Sequence, residues 1–208
     1  MSYLDTNLVD LGAECQEDAR VSLEVLERRA DGLVSRLRNP IDVGGAERAR
    51  LQNELARSEN DLGRGKDAWQ HAMEAFSLHL DAGNWEDAVL SCDILFGSGE
   101  PDSLVALGHS LWLSITYPVD PSLTLRQLMH VINDTPEDSD GAAVAAAMGA
   151  YVVEIRATSD QHGELSLAVG QMLNDVARRH SNIRDQAEFD AWFKRLELDR
   201  PDRFLVRM

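Results

Sequence analysis

The chain of 208 residues contains only two cysteines, Cys15 and Cys92, which lie far apart in segments of helical pattern. This shortage excludes a small domain built on disulfide bridges and is typical of reduced thiols inside a cell. Long apolar runs are also missing, since no stretch reaches the roughly 18 apolar residues that a membrane-spanning helix needs. The segment MSYLDTNLVDLGAE lacks a basic region followed by an apolar core, so no secretory signal is predicted. We expect a soluble, cytoplasmic protein that makes no membrane contact.

Basic residues are scarce as well, with 20 Lys and Arg against 36 Asp and Glu and a formal net charge of −16. Only Lys66 and Lys194 are lysines. A negative field repels phosphate backbones, so the charge argues against nucleic-acid binding. Two explanations of the acidity stay open: a compositional bias that keeps the protein soluble, and a surface that attracts a basic partner.

Strand patterns are nearly absent, since WLSITYPV at 112–119 is a lone candidate, and helical periodicity runs through the chain. A heptad seam predicts a first helix at 14–38, ended by Pro40. The apolar positions of this seam are Ala19, Leu23, Leu26, Ala30, Leu33 and Leu37. A second seam runs from 51 to 80, and Gly63 and Gly65 predict a kink or break in it, because glycine weakens a helix. Residues 1–62 are therefore predicted to form an antiparallel helical hairpin.

Six further helices are predicted between clusters of turn residues. They cover approximately residues 85–96, 103–115, 122–132, 142–158, 163–180 and 185–196. Asn84 and Asp102 are expected to cap the first two. The predicted fold class is all-α, with the hairpin at 1–62, antiparallel helix pairs at 63–182, and a short C-terminal helix and tail at 183–208.

The turn at 83–89, Gly-Asn-Trp-Glu-Asp-Ala-Val, carries the most specific pattern in the chain. Gly83 suits the left-handed conformation that ends a helix, Trp85 is placed to cover the turn, and small Ala88 lets two helices approach. The turn resembles that of the tetratricopeptide (TPR) repeat, whose consensus reads Gly-Asp-Tyr-Asp-Glu-Ala-Ile. The resemblance implies helix pairs stacked into an irregular α-solenoid or bundle.

The same family places a Leu-Gly pair midway along the first helix of each repeat, where glycine admits a neighbouring helix. Leu107-Gly108 fits two positions earlier than a strict 34-residue period, and Met148-Gly149 fits 41 residues further on. Ala75-Phe76 stands at this place in the first repeat. The resemblance covers residues 66–180, and a helical bundle without repeats is the alternative fold.

Gly108-His109-Ser110 also resembles half of a hydrolase nucleophile elbow. That elbow needs a strand, a sharp turn and a helix, with small residues two positions either side of the serine, and Trp112 occupies one of those places. The spacing of His71, Glu74 and His79 does not fit a metal site, and GRGKD at 63–67 lacks the flanking residues of a phosphate loop. We predict no enzyme, no catalytic residue, no metal and no cofactor.

The TPR resemblance implies a groove between first helices that binds a peptide or helix of another protein. Its groove-facing positions are Gln70, Met73, Ser77, Val105, His109, Trp112, Ala150 and Val153. Met73 and Trp112 are the expected anchors, because aromatic side chains are common hot spots and methionine adapts to varied cargo. The other interpretation is that both residues belong to the core.

Two functions remain as hypotheses. The first is a non-enzymatic cytoplasmic adaptor or chaperone that holds a partner protein or peptide. The second is an acidic inhibitor, of immunity type or mimicking nucleic acid, that blocks a basic site on its partner. The carboxylates that such an inhibitor would use cluster at Glu100 and Asp102 and in the loop that contains Glu137, Asp138 and Asp140. The hairpin either forms a homodimer or buries its seam against the repeats, and heptads alone do not separate these outcomes.

Overall fold

The computed structural model describes residues 10–38 and 44–207, with side chains from residue 22 onward, and contains no strand in those ranges. The helices are α1 (Asp10–Leu37), α2 (Gly45–Asp61), α3 (Gly65–Asp81), α4 (Trp85–Gly97), α5 (Ser103–Thr116), α6 (Pro121–Asp134), α7 (Asp140–Arg156), α8 (Ser159–Ser181), α9 (Gln186–Arg195) and α10 (Pro201–Phe204), and a 3₁₀ turn covers Leu205–Arg207. The predicted all-α fold class is confirmed. None of the described helices is long and apolar enough to cross a membrane.

Glycine divides the second apolar seam into two helices. α2 ends at Asp61 and α3 begins at Gly65, so the predicted break is confirmed. A Cβ atom at Gly65 would overlap the backbone carbonyl oxygen of Ser98, in the turn between α4 and α5. The two turns therefore approach each other so closely that only glycine fits at position 65.

The turn between α3 and α4 has most of the features that its sequence predicts. Gly83 has a φ of 68°, and Trp85 stacks on Tyr117 with ring centroids 3.8 Å apart. Asn84 and Asp102 do precede their helices, but neither side chain accepts a capping hydrogen bond, so that prediction is wrong. Their ψ angles of 75° and 13° lie outside the extended region from which a capping side chain reaches the first N–H groups.

The N-terminal hairpin is antiparallel, as predicted. Arg36 of α1 pairs with Glu47 of α2 at 2.9 Å. Arg29 lies earlier in α1 and is 4.0 Å from Glu54, which lies later in α2, so the two helices run in opposite directions. Ala30, Leu33, Leu51 and Leu55 form its buried centre. Leu23 is exposed and Leu26 half-buried, so the predicted seam is buried only toward the end of α1; the side chain of Ala19 lies outside the described residues.

Successive helices pack against each other, and the even-numbered helices α2, α4, α6 and α8 also contact one another in order. Several of these contacts join residues 34 positions apart. Asn60 of α2 donates to the carbonyl oxygen of Ile94 in α4 at 2.8 Å, and Gln127 of α6 donates to Asp93 of α4 at 3.0 Å. The even-numbered helices thus form a closely packed layer, which leaves the odd-numbered layer more open.

The pair α7 and α8 has the most apolar core of the described chain. Alanines and valines of α7 pack against α6 and α8, and a Cβ atom at Gly149 would lie 2.9 Å from Leu125 Cδ2. The segment predicted as a tail contains α10, whose Phe204 is buried and meets the ring of Tyr151 at 6.2 Å. This segment returns to α7 and covers part of the core.

Candidate functional site

The best candidate site is a furrow between α3 and α5, with α4 as its floor. Its volume is about 350 Å³. α3 supplies one wall and α5 the other, and side chains from the second half of α4 close the bottom. The lining residues are Trp69, Met73, Phe76, Cys92, Leu95, Asp102, Val105, Ala106 and His109. Nearly all of these side chains are apolar, so the furrow suits an apolar occupant.

Several predicted groove residues meet in this furrow. Met73 lies on the α3 wall with 43% of its surface exposed, and Val105 and His109 lie on the α5 wall. Trp112 follows one turn later on α5 and is 58% exposed. Gln70 and Ser77 are exposed on α3 beside the wall. Of the two interpretations of Met73 and Trp112, the structure excludes burial in the core.

The predicted third segment of the groove is wrong. Val153 is only 2% exposed and lies in the core with Val152 and Met148, while Ala150 is half-buried. Arg156, at the end of α7, donates to the carbonyl oxygens of Ser114 and Ile115 near the end of α5 at 2.5 Å each. With Val153 in the core, the furrow does not continue onto α7, and its walls and floor come from α3, α4 and α5.

Six lining residues are not among the groove positions that the sequence predicts, namely Trp69, Phe76, Cys92, Leu95, Asp102 and Ala106. Trp69, Met73 and Phe76 follow each other at steps of four and three on α3, which is the spacing of one helix face. That spacing was visible but was assigned to the apolar seam of the second helix. Cys92 and Leu95 show no sequence signal for a furrow floor, because buried helix residues have the same pattern whether or not a cleft lies above them.

Aromatic rings connect the furrow to the TPR-like turn. Phe76 of α3 stacks on His109 of α5, with centroids 6.3 Å apart, which joins the two walls at one end. Trp112 meets Tyr117 edge to face at 5.8 Å, and Tyr117 in turn stacks on Trp85. Trp112 is thus held from one side by a ring and leaves most of its indole free for contact.

Cys92 does not offer chemistry in the furrow. Its side chain is fully buried, and burial, with a smaller contribution from nearby Asp93, raises the pKa of the thiol to about 12. A thiol is a nucleophile only as thiolate, so Cys92 is inert near neutral pH. It contributes apolar surface to the floor.

The nucleophile-elbow pattern has no matching geometry. Ser110 lies inside α5, is fully buried, and its hydroxyl oxygen has no hydrogen-bond partner. No strand precedes it in the described chain, and His109 points into the furrow wall instead. An attacking serine must be exposed at a strand-to-helix turn, so the elbow interpretation is excluded for this residue.

The histidines of α3 take part in polar contacts between helices. His71 Nδ1 lies 2.8 Å from Glu59 of α2, and Glu74 accepts a hydrogen bond from Gln52 of α2. His79 is buried with its Nδ1 3.8 Å from Asp87. Among residues 22–38 and 44–207, no three potential ligands lie together as a metal site.

Burial lowers the pKa of His79, and nearby Arg50 lowers it further, while the carboxylate of Asp87 acts in the opposite direction. The imidazole is therefore kept neutral at the junction of α2, α3 and α4. In contrast, His109 at the furrow has no carboxylate within 4 Å in the described part of the chain, whereas each of the other five histidines does.

Charge is distributed unevenly around the furrow. α5 has no Asp, Glu, Lys or Arg in its whole length, although Leu104, Val105, His109 and Trp112 are exposed. The surrounding stretch 67–177 holds 17 acidic residues against two basic ones, Arg126 and Arg156. An uncharged apolar helix therefore lies inside a strongly acidic region.

Comparisons of the chain with protein-family models, curated proteins and solved structures find no match.

Proposed function

We propose that this protein is a non-enzymatic adaptor or chaperone that acts in the cytoplasm and holds a partner protein through the furrow between α3 and α5. The observation that carries the proposal is the furrow itself, whose walls expose Met73 and Val105, with Trp112 exposed further along α5. Soluble proteins rarely expose large apolar side chains side by side unless they bind something there. The floor of α4 gives such a contact depth.

We expect the partner segment to consist of apolar side chains flanked by basic ones. Apolar groups fill the furrow, while Asp102 at its mouth and the acidic residues of 67–177 attract Lys and Arg. Only two basic residues in that stretch oppose them, and Arg156 is already engaged by α5. Charge complementarity therefore favours a basic partner. It disfavours an acidic partner, and a second copy of this acidic chain is one such partner.

The 34-residue offset between contacts of α2, α4 and α6 supports a TPR-like array as the scaffold for this furrow. It equals the period of the family that the 83–89 turn resembles. The helix pairs then act as rigid walls, and the cargo is recognised by the side chains between them.

The test is photo-crosslinking from position 105. A photoreactive phenylalanine analogue replaces Val105, the protein is irradiated with a lysate, and the attached segment is sequenced by mass spectrometry. The proposal expects one partner segment with large apolar residues flanked by Lys or Arg, lost when Met73→Ser is added. The control is Leu167→Ser, which changes an even more exposed apolar residue, on α8 and outside the furrow lining. Crosslinks to unrelated acidic or polar segments, or no effect of Met73→Ser, would contradict it.

The 17 acidic residues at 67–177, against two basic ones, also favour the second candidate function, an acidic inhibitor of a basic site. The adaptor and the inhibitor differ in how their binding depends on salt. An inhibitor that binds by charge loses its partner between low and high salt, on the scale set by a Debye length of about 10 Å at 0.1 M. A furrow-bound partner is retained at high salt and released by Met73→Ser, whereas the inhibitor is insensitive to that substitution.

A further inference from the structure

Gly108 lies in the middle of α5, and nothing in the described residues requires glycine there. A Cβ atom at this position would meet no described atom within 4 Å, and the residue is exposed. Glycine inside a helix costs about 1 kcal/mol relative to alanine. The predicted role of Gly108 as a packing point for a neighbouring helix of the same chain is therefore wrong. The space above it is open.

The neighbours of Gly108 distinguish it from other open glycines. One turn before and one turn after it are Leu104, 64% exposed, and Trp112. Gly32 of α1 is equally open but lies between Arg28 and Arg36. Among the glycines of the described chain, only Gly108 places bare backbone between two large exposed apolar side chains, each four residues away on the same helix face.

We propose that a helix of the partner crosses α5 at Gly108, with an apolar stripe against Leu104 and Trp112 and basic residues at its edges. This inference rests on the proposed function and adds the shape of the occupant and its crossing point. Missing side chains let helix axes approach to about 8 Å, the short end of the usual range. Leu104 and Trp112 then flank the contact as a ridge on each side.

A helix is favoured over an extended peptide by the surface available. Addition of an extended peptide to a sheet edge is not available, because the described chain has no strand to offer. Amphipathic helices bind apolar grooves between helices through side chains spaced three and four residues apart. From the crossing point, such a helix reaches the furrow through Val105 and His109, which lie beside the Gly108 strip on α5.

Basic edges follow from charge. α5 carries no charged side chain of its own, whereas Glu100 and Asp102 lie just before it and Asp102 lines the furrow. Lys or Arg at the edges of the docked helix meets these carboxylates, and Glu or Asp there is repelled.

The experiment uses two labelled helix-forming peptides with the same leucine stripe, one with lysine and one with glutamate at the remaining positions. Binding to the full chain is measured by fluorescence anisotropy at physiological ionic strength, where surface charges are only partly screened. The inference expects the Leu/Lys peptide alone to bind, and Gly108→Leu to weaken it at least about tenfold, because the new side chain blocks the approach. The matched control Gly32→Leu leaves binding unchanged.

The outcomes separate this inference from the proposed function. If Met73→Ser abolishes binding and Gly108→Leu does not, the furrow holds the partner and the crossing at Gly108 is overturned. If Gly108→Leu alone matters, the crossing stands and the furrow is unnecessary. Absence of Leu/Lys binding, equal binding of both peptides, or a dimer of the chain that Gly108→Leu dissolves would each overturn the crossing by a basic helix.

Discussion

Leu107-Gly108 and Met148-Gly149 are the same kind of pair on the first helices of two successive helix pairs, yet their surroundings are opposite. Gly149 is covered by Leu125, Leu128 and Met172 from α6 and α8, whereas Gly108 faces open space. In α7 the helices that pack on the glycine belong to the same chain, whereas in α5 no described residue covers it. The same kind of pair therefore marks a closed contact in one helix pair and an open surface in the other.

The helix interfaces in the two halves of the described chain also differ in chemistry. The α6–α7–α8 interface is built from alanine, valine, leucine and methionine. The α2–α3–α4 interface contains buried Gln52, Glu59, Ser91 and His79. Polar interfaces depend on hydrogen bonds and protonation, while apolar ones depend on volume. The two halves should thus respond to different perturbations.

The largest effect is expected from replacing tryptophans. Trp192→Ala should lower the free energy of unfolding by about 3–5 kcal/mol, because the buried indole packs beside Phe189 and its Nε1 donates to His180 at 3.2 Å. Trp112→Ala should cost about 1 kcal/mol or less, since most of its surface is exposed. Urea unfolding of both variants measures the difference. Similar losses would show that Trp112 is structural.

Leucine at the two glycines is the next test. Gly149→Leu should destabilise the protein by roughly 3 kcal/mol, because even a Cβ atom there lies 2.9 Å from Leu125 in a packed core. Gly108→Leu should leave stability unchanged or slightly raised. Thermal melts followed by circular dichroism compare the two. A large loss at position 108 would mean that the surface of α5 is closed.

A smaller effect concerns pH. The folded state holds the pKa of His79 below the 6.5 of an unperturbed histidine, so the unfolded chain binds more protons as pH falls below that value. Stability at this site is therefore full above pH 6.5 and is lost as pH falls, with a slope of at most about 1.4 kcal/mol per pH unit. His79→Asn should flatten the fall in urea midpoint between neutral pH and pH 5. An unchanged slope would mean that other groups control the acid response.

Sequence periodicity located most helices well, because their turns carry glycine, proline or polar clusters. It placed the start of α8 at 163 rather than Ser159, although Thr158 and Gln161 have the capping-box spacing and do form that box. α10 was missed because four residues show no periodicity. Pro201 at its first position was the available signal.

The furrow was only partly predictable for a physical reason. Periodicity tells which side of a helix is apolar, and this placed Met73, Val105 and Trp112 on related faces. It does not tell whether another helix covers that face. Val153 and Val105 have equivalent patterns, yet the first is buried in the core with residues of α6 and α8 and the second is exposed. That difference depends on how the helix pairs stack, which a single sequence does not encode locally.

The smallest predicted effect bears most directly on the comparison of the two glycines. Gly108→Ala should stabilise the isolated protein by about 1 kcal/mol, since alanine is the better helix former and its methyl group meets no atom of the fold. The same change at Gly149 should give no gain, because the clash with Leu125 opposes the improved propensity. Urea titrations resolve this difference when the two variants are measured side by side. A gain in stability at position 108 would agree with an open surface on α5, whereas a loss of stability in Gly108→Ala would mean that the fold itself needs glycine there and would remove the reason to expect a docked helix.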